Sequence, residues 1–197
     1  MKVVGFVTEY NPYHYGHKYH LEESLALTGA SHSIAIMSGS FVQRGEPSIV
    51  DKWTKAKIAI NNGVDLVIEL PFVYSTQSAE LFALGGIKIL DSLNIVDYIS
   101  FGSESGDLKP LQDISELLAD EPKEFKLCLK EKLNSGKSFA SARSLAINEY
   151  LSHNSAPNYD YESILKESNN ILAIEYLKAL KKINSRIRSE ERRVGKE

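Results

Sequence analysis

Two histidines flank a glycine near the N-terminus, in the segment His14-Tyr15-Gly16-His17, which follows a short apolar run. Gly16 has no Cβ, so a phosphate could approach the backbone closely there. A helix that begins near His17 would direct its free N–H groups at the same anion. The two imidazoles can then donate hydrogen bonds to the charge that develops on an α-phosphate under attack. These residue types and this spacing predict a site for nucleotide phosphates.

Two other interpretations of these histidines stay open on the sequence alone. Together with His20 they recur at every third residue and could ligate a metal, but zinc would need a fourth ligand, and the only cysteine, Cys128, is distant. Histidines also commonly satisfy only local hydrogen bonds. Polar residues at the other predicted strand ends favour the phosphate site, and the sequence predicts no metal site.

Strands and helices alternate over the first hundred residues. Near-continuous apolar runs predict buried strands, and amphipathic segments between them predict helices. The strands are predicted over residues 2–8, 32–38, 65–70 and 97–101, and the helices over residues 17–27, 51–62 and 76–93. This alternation requires parallel crossovers and predicts an α/β fold with a Rossmann-like sheet of four parallel strands.

Beyond Pro110 the pattern changes to helices alone. Amphipathic segments predict helices over residues 111–118, 121–133, 138–151 and 161–179. We therefore expect a nucleotide-binding α/β domain over residues 1–110, followed by a helical region over residues 111–187.

Ligands of such sheets bind at the carboxyl ends of the strands, so the loops there are the next candidates. The loop after the second strand contains Gly39, Gln43 and Arg44. The guanidinium can hold an anion or a substrate through two parallel hydrogen bonds. Glu69 ends the third strand, and because a buried carboxylate is costly unless it is paired, we expect it to pair with Arg44 or to orient a histidine. Asp51-Lys52 is expected to be a helix cap followed by a solvated charge.

The fourth strand and the last helix supply three further candidates. Gly102 follows the fourth strand, where it is either a simple turn glycine or makes room for a base or ribose that lies across the sheet edge. Glu104 could bind a ribose hydroxyl, although a solvated glutamate is the simpler expectation. Asn169 and Asn170 open the last helix, where one asparagine is expected to cap the helix, which leaves the other amide free to reach a ligand.

Composition narrows the range of functions. The 197 residues carry a net charge of −3 and are 43% hydrophobic, so the chain can bury a core and has no bulk attraction for a polyanion. A local basic face stays open among five lysines, although a solvated helix face is the default expectation. These are Lys123, Lys126, Lys130, Lys132 and Lys137. A single cysteine, with no leader and no apolar run of membrane length, predicts a cytoplasmic protein.

The last ten residues, 188–197, differ in texture from the rest. They resemble the translation of a common sequencing-library adapter, read through at the end of a fragmentary gene, and a charged natural C-terminus is the alternative. We exclude them from the fold prediction as a non-native tail.

Five blocks of sequence together resemble the bacterial tRNA(Met) cytidine acetate ligase family, of the HIGH nucleotidyltransferase superfamily. The H-x-G-H tetrapeptide is a weak signal alone, whereas five blocks in the family's order are a strong one. The blocks are EYNPYHYGH at residues 9–17, SGSFVQRGEP at 38–47, DLVIELP at 65–71, FGSE at 101–104 and NNILAIEYLKAL at 169–180.

The resemblance implies an ATP-dependent ligase that activates acetate as acetyl-adenylate and transfers the acetyl group to N4 of the wobble cytidine of elongator tRNA(Met). It implies His14 and His17 as catalytic residues, and Mg²⁺ could accompany the ATP phosphates, although no motif marks a dedicated site. The implied ATP-binding residues are Val7, Thr8, Glu9, Tyr10, Asn11, Pro12, Tyr13, His14, Tyr15, Gly16, His17, Lys18, Tyr19, His20, Gly102, Asn169 and Asn170.

The chain departs from the family pattern at one place. The family has a Lys-Arg-x-Gly stretch with an ATP-contacting arginine, and that region would begin where the adapter-like tail starts. The departure predicts a C-terminally truncated member of the family. Another nucleotidyltransferase of the same superfamily and a non-catalytic RNA-binding module are the alternatives.

Overall fold

The structure is a computed structural model, and it describes residues 1–154 and 159–193. Within these residues, five parallel strands form one sheet in the order β3-β2-β1-β4-β5. The strands are β1 (Val3–Thr8), β2 (His32–Ser38), β3 (Leu66–Leu70), β4 (Tyr98–Ser103) and β5 (Arg188–Arg193). The chain crosses from one side of β1 to the other between β3 and β4, which opens a ligand crevice at the carboxyl end of β1. The predicted Rossmann-like α/β fold is confirmed.

Helices connect the strands and fill the second half of the chain. They are α1 (Tyr15–Thr28), α2 (Lys52–Asn61), α3 (Phe72–Ser75), α4 (Ala79–Ser92), α5 (Leu108–Asp120), α6 (Lys123–Asn134), α7 (Phe139–Asn154), α8 (Tyr161–Ile164) and α9 (Ser168–Lys182). Two predicted helices differ in their organisation, whereas the others differ by at most three residues at either end. The segment 76–93 contains only α4, with the single turn α3 before it, and the segment 161–179 divides into α8 and α9.

Local sequence explains where α1 and α2 begin and end. The Asp51 carboxylate accepts hydrogen bonds from the backbone N–H groups of Trp53 and Thr54, both at 3.0 Å, and so caps α2 as predicted. Gly29 ends α1 with a φ of 61°, a left-handed conformation that favours glycine. Helix-capping residues, helix-ending glycine and the apolar runs between them therefore determine the bounds of the βαβ units that contain the site.

The core has two parts, one on each face of the sheet. The larger cluster joins side chains of β4 and α4 to those of α5, α7 and α9, and the smaller cluster joins β1 and β2 to α1 and α2. The predicted α/β and helical regions thus share the larger core, and the boundary between them stays a prediction. No described helix has the length and apolar content needed to cross a membrane.

The expectation of four strands was wrong, because residues 188–193 add β5 in parallel to β4. The register runs from Tyr98 opposite Arg188 to Ser103 opposite Arg193. A highly charged segment can occupy an edge position because the ladder uses backbone groups alone. The proposal that residues 188–197 are non-native stays a prediction, and residues 194–197 lie outside the described part of the chain.

Candidate active site

His14 and His17 hold each other through the backbone at the start of α1. The Nδ1 atom of His14 accepts from the N–H of Gly16 at 3.1 Å, and Nδ1 of His17 accepts from the N–H of His14 at 3.2 Å. The two rings stack with their centroids 3.7 Å apart. This is a capping box built from two histidines, and it fixes both imidazoles at the carboxyl end of β1.

The same hydrogen bonds decide which ring nitrogen carries the proton. A nitrogen that accepts from an N–H has no proton of its own, so each neutral ring is protonated at Nε2. Burial, with the charges of His14 and His20 as smaller causes, lowers the pKa of His17 to about 4. His17 is therefore neutral near pH 7, and its Nε2–H is a donor for an incoming anion.

Gly16 lies against the His14 side chain, a contact that the sequence did not predict. A Cβ on Gly16 would stand 2.9 Å from Cε1 and 3.0 Å from Nδ1 of His14, so the glycine makes room for that ring. Its N–H is already bonded to His14, and α1 begins at Tyr15 rather than near His17. One of the N–H groups expected to face the anion is therefore bonded to the His14 side chain, and the phosphate site over Gly16 stays a prediction.

Aromatic side chains support the pair from below. Tyr10 is buried with a left-handed φ of 47°, and its ring meets those of Tyr13 and His17 edge-on at 4.8 and 5.0 Å. Tyr15 and Tyr19 point outward, with Tyr15 90% exposed. Tyr10 and Tyr13 therefore pack against His17, whereas Tyr15 and Tyr19 are exposed and accessible to a ligand.

His20 lies apart from the pair. Its ring packs edge-on against Phe6, and its Nε2 lies 3.3 Å from Oγ of Ser100 on β4. Among the residues that the structure describes, no three His, Cys, Asp or Glu side chains form a group that could hold a metal. The spacing of three histidines thus reflects a cap and a packing contact.

The remaining predicted residues of the N-terminal segment extend the end of β1. Val7 and Thr8 are its last two residues. Oδ1 of Asn11 accepts from Oγ of Ser48 at 3.0 Å and from the N–H of Ile49 at 2.8 Å, which ties the segment to the chain before α2. Pro12 is exposed, and Lys18 lies 4.0 Å from Glu22 on the outer face of α1.

The loop after β2 is joined to this segment. The Glu9 carboxylate accepts from the N–H of Gln43 at 2.6 Å, and Arg44 is exposed at the loop's tip. The expectation that Glu69 pairs with Arg44 or orients a histidine was wrong. Glu69 instead binds Nζ of Lys52 at 2.6 Å, so Lys52 is not the solvated charge that was expected either.

Lys55 is the residue that sequence reasoning missed. It is 1% exposed, and its Nζ donates to the backbone carbonyls of Ser38 at 2.8 Å and of Glu9 at 3.0 Å. Burial lowers the pKa of Lys55, while the charges of Glu9 and Glu69 oppose that shift. The buried ammonium joins the ends of β1 and β2. One signal in the sequence is its position four residues before the buried Ala59, on the same helical face.

The end of β4 and the start of α9 cap each other. The Glu104 carboxylate accepts from the N–H groups of Asn169 and Asn170 at 3.3 and 2.9 Å, and from the Asn169 amide at 2.8 Å. Oδ1 of Asn170 accepts in return from the N–H groups of Glu104 and Ser105. Glu104 is therefore a helix cap, not a solvated side chain, and neither asparagine is the N-cap residue, which is Glu167.

The two asparagines differ in what they leave available. Asn170 is 1% exposed, and its amide nitrogen donates to the carbonyl of Ile164, so all of it is used within the protein. Asn169 is half-buried and bonded to Glu104, just after the end of β4. Of the pair, only Asn169 is placed to reach a ligand.

Comparisons with known proteins identify the family of this chain. The family model described as HIGH Nucleotidyl Transferase matches residues 1–194. Proteins named tRNA(Met) cytidine acetate ligase are similar over 187 residues, which are 95% of this chain: that of Thermoanaerobacter sp. (strain X514) is 56% identical and that of Acetivibrio thermocellus is 51% identical. The match covers 45% and 44% of those relatives, so the chain spans about half the length of the curated relatives it matches.

The fold has a solved counterpart. A crystal structure of Thermotoga maritima TmcAL bound with alpha-thio ATP superposes with a TM-score of 0.92 at 43% identity, covering 99% of this chain and 47% of that one. The apo form of the same protein gives a TM-score of 0.92 at 44% identity. The resemblance noted from the five sequence blocks is confirmed, and the chain belongs to the HIGH nucleotidyl transferase family.

Proposed function

We propose that this chain carries the ATP-dependent activation site of a tRNA(Met) cytidine acetate ligase. The observation that carries the proposal is the pair of Nε2–H donors that His14 and His17 present at the carboxyl end of β1. Rossmann-like sheets bind nucleotides at that edge. The matches to the named relatives and to the solved ATP-analogue complex extend over 95% and 99% of this chain and so include it. A tRNA substrate would place the protein in the cytoplasm.

The proposed reaction has two steps. A carboxylate oxygen of acetate attacks the α-phosphorus of ATP, the bond to the β-phosphate breaks, and pyrophosphate leaves. The N4 amine of the wobble cytidine then attacks the carbonyl carbon of acetyl-adenylate, the bond from that carbon to the phosphate oxygen breaks, AMP leaves and one amine proton is released. Both steps depend on positioning and on stabilising developing negative charge.

Each group of site residues has a place in this scheme. His14 and His17 donate from Nε2 to the α-phosphate oxygens as charge builds there. The ATP contacts extend along residues 7–20 and to Gly102 and Asn169. The loop with Gly39, Gln43 and Arg44 holds the second anionic reactant, acetate, next to the phosphate. Mg²⁺ could neutralise the leaving pyrophosphate without a dedicated protein site.

Acetate-dependent exchange between ATP and pyrophosphate tests the first step in a full-length version of the protein. We expect His14→Ala and His17→Ala each to lower the exchange rate about 10²- to 10³-fold, the loss typical of a missing oxyanion donor. His32→Ala is the matched control, because His32 is an exposed histidine at the opposite, amino end of β2. Unchanged exchange in both site variants would sink the proposal.

The exchange assay and a measurement of RNA and ATP binding separate the two alternative functions. Exchange that depends on a phosphorylated acceptor instead of acetate would indicate another nucleotidyltransferase of the family. Tight RNA binding with no affinity for ATP would indicate a non-catalytic RNA-binding module.

A further inference from the structure

A cleft lies beside the proposed ATP site, at the carboxyl ends of β2 and β3. Gly39, Phe41, Glu69 and Phe72 are among the residues that line it. Its walls come from the loop after β2 and from the single turn α3 after β3. The cleft is thus a second concave surface on the ligand-binding edge, and the scheme above assigns nothing to its aromatic wall.

Two phenylalanine rings form that wall. Phe41 and Phe72 meet edge-to-face with their centroids 5.5 Å apart, and they are 38% and 61% exposed. Oγ of Ser75 donates to the carbonyl of Phe41 at 2.8 Å, which fixes the loop against α3. Exposed rings held in place beside a ligand-binding edge offer an apolar face for a flat partner.

A carboxylate faces the same space. Glu69 lies so close to Gly39 that a Cβ there would stand 2.2 Å from its Oε1, so the glycine makes room for the carboxylate. Lys52 binds Oε2 at 2.6 Å, and no described residue donates to Oε1. The wall of the cleft therefore combines an apolar ring surface with an available acceptor, which fits a flat ring that carries an amine.

Cytosine has this combination of groups. Its N4 amine donates to a Glu or Asp carboxylate, whereas uracil presents an acceptor at the same position. Unpaired bases of RNA loops are commonly stacked on aromatic side chains and read by their hydrogen-bonding edges. A carboxylate beside two rings thus selects an unstacked cytosine over uracil.

The cleft also lies at a suitable distance from the activation site. β3 is two strands away from β1, which is about 10 Å at the usual spacing of strands. The loop that forms the cleft wall is bonded to the ATP segment through the Glu9 carboxylate and the N–H of Gln43. A base bound in the cleft would hold its N4 amine beside the loop after β2, which is proposed to hold acetate.

Resting on the proposed function, we propose that this cleft binds the acceptor cytosine. The base stacks on one ring of the Phe41–Phe72 pair and packs against the edge of the other, and its N4 amine donates to Glu69. Phe72 and Glu69 serve the transfer step alone, whereas Gly39 at the edge of the cleft belongs to the loop that holds acetate.

Separate assays of the two steps in a full-length version of the protein test this inference. We expect Phe72→Ala and Glu69→Gln to keep acetate-dependent ATP–pyrophosphate exchange within about twofold of wild type, while acetyl transfer to tRNA falls at least about tenfold. Val73→Ala is the matched control, since Val73 is 65% exposed on the same turn but does not line the cleft. Thermal unfolding of each variant checks the fold.

Specificity supplies a second readout. A tRNA with uridine at the wobble position should compete with the cytidine substrate at least about fivefold more effectively against Glu69→Gln than against wild type. Unchanged transfer in the cleft variants, or equal losses of exchange and transfer, would overturn the cleft assignment and leave the activation site intact. Absence of exchange in the wild type would instead overturn the proposed function.

Discussion

At the scale of residues, His14 and His17 are structural and chemical groups at once. In each ring, Nδ1 accepts a hydrogen bond from a backbone N–H, and the Nε2–H is available to a ligand. An alanine at either position therefore removes a donor and half of a capping box. Glutamine is the conservative replacement at position 17, because a glutamine at the third helical position can accept from the N-cap N–H in the same way.

The depressed pKa of His17 makes stability depend on pH. The group titrates near 6.5 in the unfolded chain and at about 4 when folded, so the unfolded state binds more protons between these values. The contribution of neutral His17 is complete above pH 6.5 and is lost as the pH falls toward 4. We expect His17→Gln to make the free energy of unfolding fall less between about pH 7 and about pH 4.5 than in the wild type.

Urea unfolding of the present chain at the two pH values measures this difference. His32→Gln is the control, because it makes the same substitution at an exposed histidine outside the site. Equal pH dependence of the wild type and His17→Gln would show that the ring is not buried as described.

At the scale of elements, two helix starts meet at the carboxyl edge of the sheet, and both are held by side chains of the site. α1 uses the two histidines, and α9 uses Glu104 with Asn170. Lys55 completes the frame by joining the ends of β1 and β2 through two carbonyls. The loops of the site are thus fixed by hydrogen bonds between side chains and the backbone.

The neighbouring asparagines should separate stability from binding. Asn170→Ala leaves the N–H groups of Glu104 and Ser105 without their acceptor in a partly buried setting, so we expect it to lower the free energy of unfolding by about 1–3 kcal/mol. Asn169→Ala should cost less, since that side chain is half-buried, and should weaken ATP binding. Chemical denaturation and calorimetric titration with ATP measure the two effects. Equal losses of stability, or weaker ATP binding only in Asn170→Ala, would contradict this division.

Sequence patterns predict the helices and strands better than they predict the side-chain pairings between them. Apolar periodicity located β1 to β4 and most helices, because burial imposes a period on each segment separately. The sequence missed the pairings of Glu69 with Lys52 and of Glu104 with Asn169, which lie 17 and 65 residues apart. Such contacts depend on the sheet order, which no local pattern contains. The site histidines were found because both lie in one short segment.

At the scale of the whole molecule, the distribution of charge determines which surface can attract RNA. The chain has a net charge of −3, so attraction to a polyanion has to come from a local surface. Two of the five lysines singled out from the sequence are paired: Lys126 with Glu121 at 3.6 Å, and Lys132 with Glu149 at 2.5 Å. Lys123 and Lys130 on α6, with Lys137 just after it, are exposed.

These three lysines, defined here as the α6 surface, should dominate any binding of tRNA by the present chain. Neutralising about three phosphates predicts that the logarithm of the binding constant falls with a slope of about −2 to −3 against the logarithm of salt concentration. We expect the triple variant Lys123→Glu, Lys130→Glu, Lys137→Glu to lose this binding. The control reverses Lys57, Lys88 and Arg186, which are exposed outside α6, and changes the net charge equally. If both triple variants weaken tRNA binding to the same extent, the attraction is a property of total charge, and the α6 surface makes no specific contact.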